Sequence, residues 1–290
     1  MKKILALMLA MVMVFALVAC GSSNNSAPAE EPAPAEEPAA EEPAAEEPAA
    51  EEPAAEEFTF IHGFDLDFPP YSYLNDDGSV GGFDVELAQA VCDYLGWNYE
   101  PHPFNWDAKD AELNSGACDC IWSGFTLNGR EDDYTWSIVY SDNTQMIMVA
   151  EDSGIETLAD LAGKLVGVQT ATSAYDMLND YEEGQGELRD TFADLQVYET
   201  YTVAFNDLQA GGIDAIAVDI TTGQFLMSDV EGYTFLAETL GSEQYAIGFR
   251  LGDEALRDQV NEALQALAAD GTYDAIGQKY PEIYEFLSLN

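Results

Sequence analysis

Residues 58–290 are predicted to form an α/β fold, and three observations predict it. Short apolar runs suited to buried strands, such as Leu165-Val166-Gly167-Val168-Gln169 and Asp214-Ala215-Ile216-Ala217-Val218-Asp219, alternate with segments of helical period. Glycine closes several of those helical segments, at Gly96, Gly211 and Gly271. The run Asp119-Cys120-Ile121-Trp122 leaves its strand through the polar segment Ser123-Gly124-Phe125-Thr126-Leu127-Asn128-Gly129-Arg130. In open α/β sheets, ligands bind where strands end and loops begin. Strands alternating with helices imply parallel sheets with covered faces.

What precedes residue 58 is not core. Lys2 and Lys3 head an apolar run from Ile4 to Val18 that is short for a membrane span. The run ends in Leu17-Val18-Ala19-Cys20-Gly21, which resembles a bacterial lipoprotein signal. That resemblance implies cleavage before Cys20, a lipid on Cys20, and a mature protein tethered outside the cytoplasmic membrane. Residues 21–57 then repeat Glu-Glu-Pro-Ala-Ala, as in Glu36-Glu37-Pro38-Ala39-Ala40. Having no large apolar side chains and many like charges, this stretch is expected to be a disordered stalk. At ~3.1 Å per extended residue its reach is on the order of 100 Å.

The folded part opens with the strand Phe58-Thr59-Phe60-Ile61, leading into Gly63. Paired prolines in Asp65-Leu66-Asp67-Phe68-Pro69-Pro70-Tyr71 interrupt regular structure, and Asn75-Asp76-Asp77-Gly78 is a turn. Phe83, Leu87, Val91, Tyr94 and Leu95 share one helical face. A helix over residues 107–115 leads to the strand at 119–124. Thr172 and Ser173 cap a helix whose apolar face includes Leu178 and Tyr181. A further helix covers residues 203–211, and a long one carrying Leu256, Val260, Leu264 and Leu267 closes the chain.

Charge narrows the partners. The chain has 9 Lys and Arg against 55 Asp and Glu. Two lysines and twelve glutamates fall before residue 58, leaving 7 basic against 43 acidic residues, a net of −36. Nucleic acid needs Lys/Arg clusters and is excluded. Cys92, Cys118 and Cys120 are expected to be core thiols: a disulfide is permitted by export, but no second pair or nearby His completes a metal site. No cofactor is expected.

Three strand-end segments offer complementary chemistry. Arg130 supplies a cation with a bidentate fork. Thr172 and Ser173 stand at a helix N-terminus that favours an anion. Asp219, ending an apolar strand, supplies a carboxylate for an ammonium. Each has a plainer reading: a surface ion pair, an ordinary cap, a strand-end cap. Together they answer the two needs of an α-amino acid zwitterion.

With these residues in view, the chain from Phe58 onward resembles the extracellular solute-binding proteins of polar amino-acid ABC transporters. The resemblance is carried by Asp65–Tyr71, by Gly81-Gly82-Phe83-Asp84-Val85-Glu86-Leu87-Ala88, and by Leu113-Asn114-Ser115-Gly116-Ala117-Cys118-Asp119. Gly124 to Thr126 with Arg130, Val166 to Gln169, Asp214 to Asp219 and Asn261 to Gly271 complete it. It implies a two-lobed periplasmic-binding-protein-like fold of type II with two crossing hinge strands, near 145–149 and 241–248. Lobe one would hold residues 58–145 and 243–290, and lobe two residues 146–242.

The resemblance also implies roles. Arg130 would hold the ligand carboxylate, with Ser123, Gly124 and Thr126 sharing the zwitterion's two ends. Thr172 and Ser173 would cap the carboxylate, and Asp219 would take the ammonium. Phe68 and Trp106 would flank the ligand side chain, and Asp65 would receive its polar end. Ala171 departs from the family's usual glycine. The implied function is capture of a polar or basic L-amino acid, arginine or lysine ahead of glutamine, by a monomer that delivers it to ABC permease subunits. A dehydratase-like enzyme on the same fold would need a general acid or base, yet the only histidines, His62 and His102, lie outside the matched segments. A receptor-type sensor would need a second membrane segment, which the sequence does not carry.

Overall fold

The computed structural model describes residues 58–75 and 77–289. Cys20 and the Glu/Pro/Ala repeat lie outside them. Two five-stranded sheets form the frame. The first runs in the order Asn98–Phe104, Thr59–Asp65, Cys120–Ile121, Gly248–Phe249, Thr135–Trp136. The second runs Asp194–Tyr198, Leu165–Gln169, Ala215–Asp219, Ser141–Ala150, Tyr233–Tyr245. Each sheet anchors one lobe.

The sheets are mixed, not purely parallel. Thr59–Asp65 pairs in parallel with both neighbours, and so does Leu165–Gln169. Ser141–Ala150 runs antiparallel to both of its neighbours, and Gly248–Phe249 does the same in the first sheet. The long strands Ser141–Ala150 and Tyr233–Tyr245 carry the chain between lobes. One leaves the first lobe and the other returns to it, so the two run antiparallel. Their lobe-one ends pair from Gln145↔Gly241 to Ser141↔Tyr245. A register break between Phe235 and Gly241 separates this crossing from the body of the second sheet.

The helices follow the apolar periods. Phe83–Leu95 buries Phe83, Val85, Leu87, Ala88 and Val91 and stops at left-handed Gly96. Tyr94 departs from expectation: it is half exposed, since the sheet covers only the opposite stripe. The helix at Ser173–Asn179 ends before Tyr181, which is exposed beyond it. Glu254–Ala269 buries Val260, Leu264 and Leu267, but two short helices, Thr272–Gly277 and Pro281–Tyr284, follow it. They fold back under Phe83–Leu95, where Tyr273 and Tyr280 meet the Phe83 ring edge-on. Cys92, Cys118 and Cys120 are buried free thiols. Burial pushes Cys92 and Cys118 up to about 12, which makes them poor nucleophiles.

Candidate ligand-binding site

The strand ends converge on a narrow cavity of about 20 Å³ between the lobes. Seven lining residues come from lobe-one segments: Asp65, Phe68, Trp106, Ser123, Gly124, Thr126 and Arg130. Three come from lobe-two segments: Thr172, Ser173 and Asp219. All ten sequence-predicted residues therefore share one space.

The lobe-one wall is braced from behind. Asp84 lies fully buried at the start of its helix, and its Oδ2 accepts from the Gly124 N–H at 2.7 Å and the Tyr140 hydroxyl at 2.8 Å. Burial pushes the Asp84 carboxyl up to about 7. Gly124 has φ 53°, and a Cβ there would fall 2.5 Å from Phe68 Cε1, so this turn requires glycine. The Ser123 hydroxyl meets Ser72 Oγ at 2.6 Å and accepts from the Asp65 N–H. Ser123 and the Gly124 amide are thus committed to lobe one. Phe68 is held between the rings of Tyr71 and Tyr201.

The cleft is drawn shut by polar contacts across it. Gln169 Nε2 donates to Asp65 Oδ2 at 2.7 Å, and the Thr202 hydroxyl donates to Asp67 Oδ1 at 2.8 Å. Trp106 Nε1 and Lys109 Nζ both donate to the Ala171 carbonyl, at 3.0 and 3.2 Å. Lys109 also lies 5.1 Å from the centre of the Trp106 ring. Ala171 adopts φ 56° to present that carbonyl, a left-handed conformation costly for a residue with a Cβ. Burial pushes the Asp65 carboxyl up to about 7, against the hydrogen bonds from the Asp67 N–H and Gln169.

Arg130 reaches the cavity through its short loop. Its guanidinium donates to the Thr126 carbonyl at 3.3 Å and to Asp176 Oδ2 at 2.6 Å, with the Phe125 ring beneath. Asp176, on the lobe-two helix, was not anticipated and now occupies one arm of the fork. The caps are also partly committed. The Thr172 hydroxyl donates to the Gln169 carbonyl while its oxygen accepts from the Tyr175 N–H. The Ser173 hydroxyl is hydrogen-bonded to Glu243 Oε2.

Asp219 sits at the N-cap of the helix Ile220–Met227. Asn143 Nδ2 and Gln145 Nε2 donate to its Oδ1 at 2.8 and 2.6 Å, and the Tyr245 hydroxyl donates to the same oxygen. Those two amides also donate to Glu243 Oε1, both at 2.7 Å. Burial, then the neighbouring Glu243, pushes Asp219 up to about 8. Sequence reasoning passed over Glu243, Asn143, Gln145, Gln169, Lys109 and Asp176. Glu243, Asn143 and Gln145 lie on strands whose two-residue period puts them on one face. That period was the available signal, but it names no partner on another strand.

A two-lobed α/β chain with a narrow cavity between its lobes, lined by Arg130 and Asp219, fits a solute-binding protein. The family model of bacterial extracellular solute-binding proteins, family 3, matches residues 60–282, and the chain belongs to that family. It is 29% identical to the L-cystine-binding protein TcyJ of Escherichia coli over 226 residues, 77% of this chain and 82% of that one. It is also 29% identical to the arginine-binding extracellular protein ArtP of Bacillus subtilis, over 97% of this chain and 98% of that one. Among solved structures, it is similar to an ABC uptake transporter substrate-binding protein of Streptococcus pneumoniae with bound histidine. That match has TM-score 0.73 and 31% identity over 77% of this chain and 92% of that one. A structure described as an ancestral amino-acid-binding protein, a precursor of cyclohexadienyl dehydratase, matches with TM-score 0.69 and 27% identity over 77% of this chain and 95% of that one.

Proposed function

We propose that this chain captures one polar or basic L-amino acid in the interlobe cavity and presents it to the permease subunits of an ABC importer. The observation that carries the reading is the placement of Arg130 and Asp219 on opposite lobes of one cavity. A ligand carboxylate takes the place of Asp176 on the Arg130 fork, and the ligand ammonium sits against Asp219. Both charges are then paired when the cleft shuts, as burial demands. The backbone N–H groups at the start of Ser173–Asn179 support the carboxylate from lobe two. Phe68 and Trp106 flank the side chain, whose polar end meets Asp65 or Gln169. Lobe one consists of residues 58–145 and 243–290 and lobe two of residues 146–242, turning about the paired long strands.

The chain acts as a monomeric binder and not as an enzyme, a reading supported by relatives that are named as binding proteins. Relatives named for arginine, histidine and cystine support an amino-acid ligand. Thermal-shift screening of the twenty L-amino acids tests the reading. The largest rise is expected from arginine or lysine, then glutamine or histidine, with glutamate and aspartate giving none. A largest rise from glutamate, aspartate or an aliphatic amino acid removes Asp65 from its role. Recovery of the amino acid unchanged in mass after incubation checks that nothing is turned over.

The mature chain is held at the extracytoplasmic face of the membrane by lipid on Cys20, with the acidic repeat as its tether. Labelled palmitate is expected to follow the parent protein and not Cys20→Ser. Continued labelling of the serine variant rules the site out.

A further inference from the structure

Glu243 does not line the cavity, yet it touches two residues that do. Its Oε2 is hydrogen-bonded to Ser173, and its Oε1 shares the Asn143 and Gln145 amides with Asp219. Asp219 and Glu243 are both almost fully buried. Among the described residues no Lys or Arg forms an ion pair with either. The other titratable groups facing the pair are Tyr71, Tyr201 and Tyr245, which burial keeps protonated. Two carboxylates against the same two amides, with no cation, cannot both stay ionised, so the pair holds a proton.

Geometry says where that proton rests. Asp219 Oδ1 accepts from three donors and stands at the N-terminus of Ile220–Met227, where a negative charge is favoured. Glu243 has only the two shared amides and Ser173, a hydroxyl able to accept as readily as donate. We infer that Glu243 carries the pair's proton and donates it to Ser173 Oγ, which frees the Ser173 hydroxyl to donate to the ligand carboxylate and leaves Asp219 ionised for the ligand ammonium. One proton thereby sets both halves of the zwitterion site. Glu243 is a positioning residue acting through Ser173 and Asp219, and its role rests on the function proposed above. When the proton leaves as pH rises, ionised Glu243 reclaims the Ser173 hydrogen and adds a second negative charge on the carboxylate side. Affinity then falls.

The test is calorimetry of the full chain, its Glu243→Gln variant and its Glu243→Ala variant with L-arginine and L-histidine, from about pH 6 to about pH 9. Glutamine reproduces the protonated carboxyl, with an amide that donates to Ser173 and a carbonyl that accepts from Asn143 and Gln145. The parent is expected to lose about tenfold more affinity across that range than Glu243→Gln, which matches it at the acid end. Glu243→Ala is expected to be about tenfold weaker at the acid end, where one hydrogen bond and its partner are lost. The ligand's own titration is common to all three and cancels. Parallel profiles for parent and Glu243→Gln, or a tenfold loss in that variant already at the acid end, overturn the assignment. If neither amino acid binds the parent, the proposed function fails separately, and infrared spectroscopy of the ligand-free chain still decides the proton. The neutral-carboxyl stretch is expected to weaken in Glu243→Gln, and undiminished intensity overturns the inference.

Discussion

Arg130 and Asp219 carry opposite charges on opposite walls, and their removal should have different signatures. On the proposed reading Arg130→Ala takes away the partner of the ligand carboxylate, an expected loss of ~3–5 kcal/mol and so more than a hundredfold in affinity. Calorimetry checks it, and near-parent affinity would return Arg130 to a plain ion pair with Asp176. Asp219→Asn should weaken an amino acid far more than its deaminated analogue, whereas equal losses would make Asp219 a support for the site only. Their place at one cavity was legible because each puts a charge at a strand end, where ligands of open α/β sheets bind. Glu243 was not legible, although it is as buried as Asp219. Its neighbours Asn143 and Gln145 come from a strand about a hundred residues earlier, and a pairing register cannot be read from either strand alone.

At the scale of elements, the turn after Cys120–Ile121 decides the site's shape. Gly124→Ala would place a methyl against Phe68 in a left-handed backbone, at a cost of about 1–2 kcal/mol for the conformation alone. The expected outcome is a folded protein of lower melting temperature, with about tenfold weaker binding as Phe68 is displaced. Unchanged binding would mean that Phe68 does not shape the cavity. The helices were legible from their period and their glycine stops, as Phe83–Leu95 with Gly96 illustrates. The antiparallel course of Ser141–Ala150 and Tyr233–Tyr245 was not, because strand direction depends on partners distant in sequence. Tyr181 was misread because its helix stops at Asn179, and Tyr94 for a reason related to the strands'. Aromatic rings satisfy an apolar period on either side of a helix, and only packing chooses which side is covered.

For the whole molecule, acidity and buried carboxyls act in the same direction. Burial pushes the Asp65 and Asp84 carboxyls up to about 7. A carboxyl raised on folding binds protons more tightly in the native state, so its contribution is complete at acid pH and is lost as pH rises through the raised value. The net of −36 over residues 58–290 adds repulsion that grows with the same ionisations. Calorimetric melting of the ligand-free protein should therefore give a falling transition temperature from about pH 5 to about pH 8, partly restored by salt. A transition that rises over this range would contradict the raised carboxyls of Asp65 and Asp84.

The central claim is that two lobes close on both ends of an amino-acid zwitterion, and calorimetric titration tests it most directly. L-arginine, its deaminated analogue and its methyl ester would be titrated in turn into the same protein. One site per chain is expected for arginine. Binding should be more than a hundredfold weaker for each analogue, since either change leaves one buried charge of the protein unpaired. An analogue that binds as tightly as arginine, or a cavity that takes up arginine and its ester alike, would contradict the account.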